Sequence, residues 1–132
     1  MATIKSFEEL EIWKTARALN KEIIELVKID IVQKDFRFKD QIKAASGSVM
    51  DNIAEGFERE SRLEFINFLS YSKGSIGEVR SQLYRGIDMN YWVESDVEEL
   101  KLRFETLSSH IANFIKYLNT SQTKGTKFKN RI

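Results

Sequence analysis

The strongest constraint on the fold is a long apolar seam near the C-terminal end of the chain. Its apolar residues recur alternately three and four positions apart, which is the spacing of one face of an α-helix. The chain contains no proline, so nothing in the sequence forces such a helix to break. The pattern predicts a long amphipathic helix that buries Val97, Leu100, Phe104, Leu107, Ile111, Phe114 and Leu118.

Three earlier segments have the same periodicity. The first predicted helix spans about residues 7–29, the second carries its seam over residues 42–57, and the third follows residue 61. No segment alternates with a period of two for long enough to predict a strand. The three seams are Ile12, Ala16, Leu19, Ile23 and Leu26; Ile42, Ala45, Val49, Ile53 and Phe57; and Phe65, Leu69, Ile76, Val79, Leu83 and Ile87.

Capping motifs indicate where these helices begin and end. A Ser-x-x-Glu pattern satisfies free backbone donors in a first helical turn, and Gly56 is predicted to cap the second helix at its C-terminus. Short links at residues 58–60 and 90–94 make successive helices antiparallel neighbours. The sequence therefore predicts an all-α fold, an antiparallel up-down-up-down four-helix bundle over residues 1–118. The Ser-x-x-Glu pairs are Ser6 and Glu9, Ser61 and Glu64, and Ser95 and Glu98.

The charge of the chain is unevenly distributed. Residues 119–132 hold four basic residues and no acid, and the rest of the chain has 17 basic residues against 20 acidic ones. This composition predicts a mildly acidic bundle followed by a disordered, flexible basic tail. The N-terminal segment is too polar for a signal peptide or a membrane span, so a cytoplasmic protein with no membrane partner is expected.

The composition excludes several kinds of chemistry. With no cysteine and one histidine, His110, the chain cannot form a thiolate site or the paired Glu-x-x-His motifs of a di-iron bundle. It also lacks a glycine-rich phosphate loop. We therefore expect no enzymatic activity, no catalytic residues, no metal and no cofactor.

Two sets of surface residues on the third predicted helix have more than one reading. A strip of small residues lies away from the apolar seam, and it indicates either a subunit interface or tolerated surface glycines. Basic residues between this strip and the seam could contact phosphates or form salt bridges. The strip is Ser70, Gly74, Gly77 and Ser81, and the basic residues are Arg62, Lys73 and Arg80.

A second basic cluster spans the first link and the start of the second helix, although Asp35 and Asp40 dilute it. Within this cluster, Lys39 and Lys43 are further candidate phosphate contacts. The cluster comprises Lys34, Arg37, Lys39 and Lys43.

The segment around Asn52 is predicted to act as a structural latch. Asn52 falls near the apolar face, where a buried amide must be hydrogen-bonded. Glu55 lies close to the end of the second helix, where the helix dipole disfavours an acid. We expect Glu55 to have a cationic or backbone partner, and Asn52, Glu55 and Gly56 to form one structural motif.

These motifs resemble those of a known family. The chain is similar to the four-helix-bundle proteins encoded in intervening sequences of bacterial 23S rRNA genes, which are related to the accessory variability determinant of diversity-generating retroelements. The resemblance covers about residues 7–118. Its residues are Phe7–Lys14 with Ala16; Asp40, Gln41, Ser48 and Asn52–Gly56; and Phe65, Phe68, Leu69, Lys73–Ser75 and Glu78.

The resemblance implies a homopentamer and a role in binding nucleic acid. Our leading hypothesis is a non-enzymatic homo-oligomer that binds structured RNA or DNA through basic surface residues. The alternative is an oligomeric scaffold or adaptor, for example for a reverse transcriptase. A small-molecule binder would need a cavity among large core residues, and the full seams argue against it.

Overall fold

A computed structural model describes residues 3–120 of the chain, and these residues contain helices and no strand. A short 3-10 turn precedes the first α-helix, and a one-turn helix separates the first two long ones. The turn is Phe7–Glu9, and the helices are α1 (Glu11–Leu26), α2 (Asp30–Gln33), α3 (Phe36–Glu58), α4 (Arg62–Asp88) and α5 (Glu94–Thr120).

The four long helices form the predicted bundle. Helix α1 packs against α3 and α5, and α4 packs against the same two helices, so α1 and α4 lie diagonally opposite each other. One end of the bundle contains α2, the start of α3 and the connection between α4 and α5. We call it the α2 end. The predicted basic tail begins at the other end, and its residues 121–132 lie outside the described residues.

The predicted seams form the core. Nearly every seam residue is buried, while Leu26, Ile87 and Phe114 pack partly buried against the core. The three-and-four spacing is confirmed because four helices packed around one axis each bury a single continuous stripe.

The first predicted helix differs from the observed one. Instead of one helix over residues 7–29, the chain turns at Leu10, whose backbone is extended (φ −75°, ψ 127°). Leu10 is buried in the core, and the turn places the ring centroids of Phe7 and Trp13 5.1 Å apart. The turn buries the Leu10 side chain and interrupts the continuous helix that the pattern predicted.

The capping predictions are partly correct. The Ser61 side chain accepts a hydrogen bond from the Glu64 backbone N–H at the start of α4, as predicted. Helix α5, however, begins at Glu94, ahead of the predicted cap at Ser95. Ser6 makes no backbone cap either.

The prediction that Gly56 caps a helix end is wrong, because α3 continues to Glu58. Gly56 lies inside the helix and is buried. A Cβ at this position would lie 2.6 Å from the Phe68 Cβ and 3.0 Å from the Phe65 Cδ1. Glycine is therefore required here for the close approach of α3 and α4.

Candidate functional site

The α2 end is organised around the start of α3. The Asp35 carboxylate accepts a hydrogen bond from the Phe38 backbone N–H, at 3.1 Å, and caps the helix. The other carboxylate oxygen of Asp35 accepts a hydrogen bond from the Tyr91 hydroxyl. The ring centroids of Phe38 and Tyr91 lie 5.4 Å apart. These contacts fix the first turn of α3 against the connection between α4 and α5.

The hydrogen bond between Tyr91 and Asp35 shifts the pKa of both groups. Together with the Phe38 N–H, it lowers the pKa of Asp35, and it raises the pKa of Tyr91. The stabilisation linked to Asp35 is therefore present above the ordinary carboxyl pKa and lost as the pH falls through the lowered value. The part linked to Tyr91 is present below the ordinary phenol pKa and lost as the pH rises through the raised value.

We expect Tyr91→Phe to lower the melting temperature at neutral pH by a few degrees, because it removes this hydrogen bond while keeping the ring. The difference from the wild type should shrink in strong acid and in strong alkali. Thermal unfolding followed by circular dichroism across pH measures this. A difference that does not change with pH would contradict the linkage.

Next to this cap lies a group of basic residues that we call the basic corner: Lys34, Arg37, Lys39 and Lys43. Lys34, Arg37 and Lys43 are exposed, and none of these three side chains forms an ion pair or hydrogen bond within residues 3–120. Their charge is therefore available to a ligand.

Lys39 differs from the other three basic residues because it is half-buried. Its Nζ lies 3.3 Å from the Gln33 Oε1 and 5.0 Å from the centroid of the Phe36 ring, over which it sits. Lys39 therefore holds Phe36 as well as contributing charge.

Three acids accompany the basic corner in sequence. Asp35 faces inward to its cap and to Tyr91, whereas Asp30 and Asp40 are exposed. The corner thus keeps a local excess of free positive charge, although the two exposed acids reduce it.

The other predicted phosphate contacts lie along α4, on its side towards α5. The Arg62 Nη1 donates to the Leu118 carbonyl, at 3.0 Å, near the end of α5. The Arg80 Nη2 lies 3.1 Å from the Glu105 carboxylate. Lys73 is half-buried and forms no ion pair with any described residue. Two of these three cations therefore have structural partners already.

The five candidate phosphate contacts do not form one surface. The Ser46 hydroxyl, one turn beyond Lys43, donates to Asn20 of α1, at 2.9 Å, so Lys39 and Lys43 lie on the side of α3 towards α1. The other three lie between α4 and α5. These are opposite sides of the bundle, so a single phosphate backbone along one side cannot contact both sets.

A surface groove between α1 and α5 is acidic. Its volume is about 500 Å³, and its carboxylates would repel a nucleic acid. Arg103 of α5 pairs with Glu22 of α1 across it. The residues lining it are Lys21, Glu22, Glu25, Leu26, Ile29, Asp96, Glu99 and Leu100.

Sequence reasoning did not single out Lys101. Its side chain is buried, with the Nζ 3.9 Å from the centroid of the Tyr84 ring and 3.6 Å from a Glu94 carboxylate oxygen. Its position beside the apolar seam of α5 does not indicate, from sequence alone, that its amine packs on an aromatic ring of α4.

The predicted small-residue strip is open to solvent. Ser70, Gly74, Gly77 and Ser81 are all exposed, and a Cβ at either glycine would meet nothing within 4 Å. The strip packs against no other part of residues 3–120, and its role as an interface stays a prediction.

The segment around Asn52 fastens α3 to α4. The Asn52 amide donates to the Ser48 carbonyl and hydroxyl, each at 2.8 Å. The Ser75 hydroxyl of α4 donates to the same Ser48 hydroxyl, at 3.1 Å. The Glu55 carboxylate lies 3.0 Å from Arg59, which provides the expected cation. With Gly56 at the closest approach, this motif holds two helices together.

The fold defines a class of protein, an all-helical four-helix bundle. The chain belongs to the 23S rRNA-intervening sequence protein family, whose model matches residues 8–123. No curated protein sequence matches it closely enough to count as a relative. None of the helices in residues 3–120 has the length and apolar character that crossing a bilayer requires.

Proposed function

We propose that this protein is a non-enzymatic, self-associating bundle that binds structured RNA or DNA through the basic corner. One observation carries the proposal: three exposed cations at one end of the molecule have no acidic partner within the described residues. Lysine and arginine side chains that are free of local partners are the groups that displace counterions from a phosphate backbone.

The proposal ranks the candidate phosphate contacts. Lys43 belongs to the corner and is retained, with Lys34 and Arg37 added. Lys39 also belongs to the corner and ranks below these three, because its ammonium already contacts Gln33 and the Phe36 ring. Lys73 remains a candidate on the side of α4 towards α5. Arg62 and Arg80 are secondary because a phosphate would compete with their existing partners, the Leu118 carbonyl and the Glu105 carboxylate.

The binding test is fluorescence anisotropy with a labelled RNA hairpin and a DNA duplex, repeated over a series of salt concentrations. We expect the logarithm of the affinity to fall linearly with the logarithm of the salt concentration. Absence of binding at low salt would refute the proposal. The better hypothesis would then be the alternative, in which the protein is an adaptor for another protein such as a reverse transcriptase. A search for co-purifying proteins would follow.

Self-association is proposed to use the exposed strip on α4, with the pentamer that the family resemblance implies. Two glycines in one exposed helix face each cost about 1 kcal/mol relative to alanine, and no contact within residues 3–120 requires them. A second copy of the bundle that packed closely on this face would explain why both positions are glycine. The proposal also places the protein in the cytoplasm, where RNA is abundant.

We expect the double variant Gly74→Leu and Gly77→Leu to dissociate the oligomer while retaining or increasing helix content. Leucine at these positions projects into open space and favours the helix, so the single bundle is undisturbed. Sedimentation velocity and circular dichroism measure the two effects. The control is Ser109→Leu at an exposed position of α5. An unchanged sedimentation coefficient in the double variant would rule out the strip as the interface.

A further inference from the structure

We infer that Phe36 is a stacking platform for an unpaired base, so that the ligand of the basic corner is a nucleic acid with looped-out or single-stranded bases. This inference rests on the proposed function and narrows its ligand class. It excludes a regular duplex as the preferred ligand.

Phe36 contributes little to the core. Its side chain is 69% exposed, the largest exposed fraction among the described large hydrophobic residues, whereas Phe38 is 2% exposed. Phe38 therefore does the packing at the start of α3. A phenylalanine this exposed gains little of the stabilisation that burial would give it, so core packing within residues 3–120 does not account for the ring.

One face of the Phe36 ring is already supported. The Lys39 ammonium lies over the ring, 5.0 Å from its centroid, and is itself within 3.3 Å of the Gln33 side-chain oxygen. No other aromatic ring of the described residues contacts Phe36. A ring held from one side and open on the other can accept a flat partner.

The surrounding charge identifies that partner. Arg37 directly follows Phe36, and Lys34 precedes it by two residues; both are exposed without an acidic partner in the described chain, and they outnumber the one exposed acid within a helical turn of Phe36, Asp40. An aromatic ring among free cations is the arrangement that binds single strands, in which bases stack on the ring and phosphates meet the cations. In a duplex the bases stack on each other and leave no face for Phe36.

The test compares full-length wild-type protein with Phe36→Ala and Phe36→Trp by fluorescence anisotropy. The probes are an RNA duplex and an unstructured RNA of equal phosphate number, each with a salt series. We expect Phe36→Ala to weaken binding of the unpaired RNA about 10-fold, the loss typical of one stacked base. Duplex affinity and both salt slopes should remain unchanged, and Phe36→Trp should keep wild-type affinity. The matched control is Leu63→Ala, 64% exposed at the opposite end of the bundle.

The outcomes separate this inference from the proposed function. Suppose that both RNAs bind in a salt-dependent manner and that Phe36→Ala either leaves both affinities unchanged or weakens them equally. This result would overturn the stacking inference and leave the proposed function standing. No binding of either RNA by the wild type would refute both. Because Ile29 and Ile31 are also exposed at this end, vesicles containing anionic lipid serve as a further probe. Phe36-dependent binding of vesicles with no such effect on unpaired RNA would also overturn the inference.

Discussion

Replacing Gly86 by alanine is expected to lower the free energy of unfolding by about 1 to 3 kcal/mol, the usual cost of overpacking a core. The added Cβ would overlap the Trp92 Cζ2 and Cε2 atoms, so the indole must move. Trp92 is 6% exposed, and its N–H donates to the Leu83 carbonyl, at 3.0 Å. Moving the ring breaks this buried hydrogen bond and loosens the connection between α4 and α5.

The matched control for this prediction is Gly47→Ala. Gly47 is also inside a helix, but an added Cβ would meet nothing within 4 Å. Alanine there should stabilise the protein by up to about 1 kcal/mol through helix propensity alone. Urea unfolding of both variants measures the contrast. If Gly86→Ala is as stable as the wild type, the packing of Trp92 against α4 is not as described.

The second large effect concerns the basic corner. The triple variant Lys34→Glu, Arg37→Glu and Lys43→Glu is expected to weaken RNA binding at low salt by about 100-fold or more, because each change replaces a phosphate attraction with a repulsion. All three side chains are exposed and make no ion pair within residues 3–120. The fold should therefore be retained, and circular dichroism checks this.

A control with the same change of net charge separates the corner from the charge of the whole molecule. Lys5, Lys21 and Lys116 are exposed lysines that do not belong to the basic corner, and they too lack ion pairs in the described part of the chain. Changing these three to glutamate should weaken binding much less. An equal loss in both triple variants would mean that the corner has no special role.

The bundle itself could be predicted because its determinant is local. Spacing of three and four along each segment defines the buried stripe without reference to the rest of the chain, and the seams were correct in all four helices. What the spacing could not show was where tertiary packing overrides it. The turn at Leu10 and the continuation of α3 through Gly56 both depend on residues from elsewhere in the fold.

The candidate site was less predictable for the same reason. Residue type indicates that a side chain is cationic, and only the fold shows whether that charge is already used. The Arg62 guanidinium already donates a hydrogen bond to the Leu118 carbonyl, which lies 56 positions further along the chain. The sequence predicted both Lys43 and Lys73 as phosphate contacts, yet these two lysines lie on opposite sides of the bundle. The pairing of Asp35 with Tyr91 also spans 56 positions, and no local motif indicated it.

The most direct test of the central claim is the salt dependence of RNA binding by the wild type and the corner triple variant, measured with an RNA that contains unpaired bases. If the three cations contact phosphates, removing them should make the slope of log affinity against log salt shallower by about 2. Equal slopes for the two proteins would show that the phosphates lie elsewhere and would contradict binding through the basic corner.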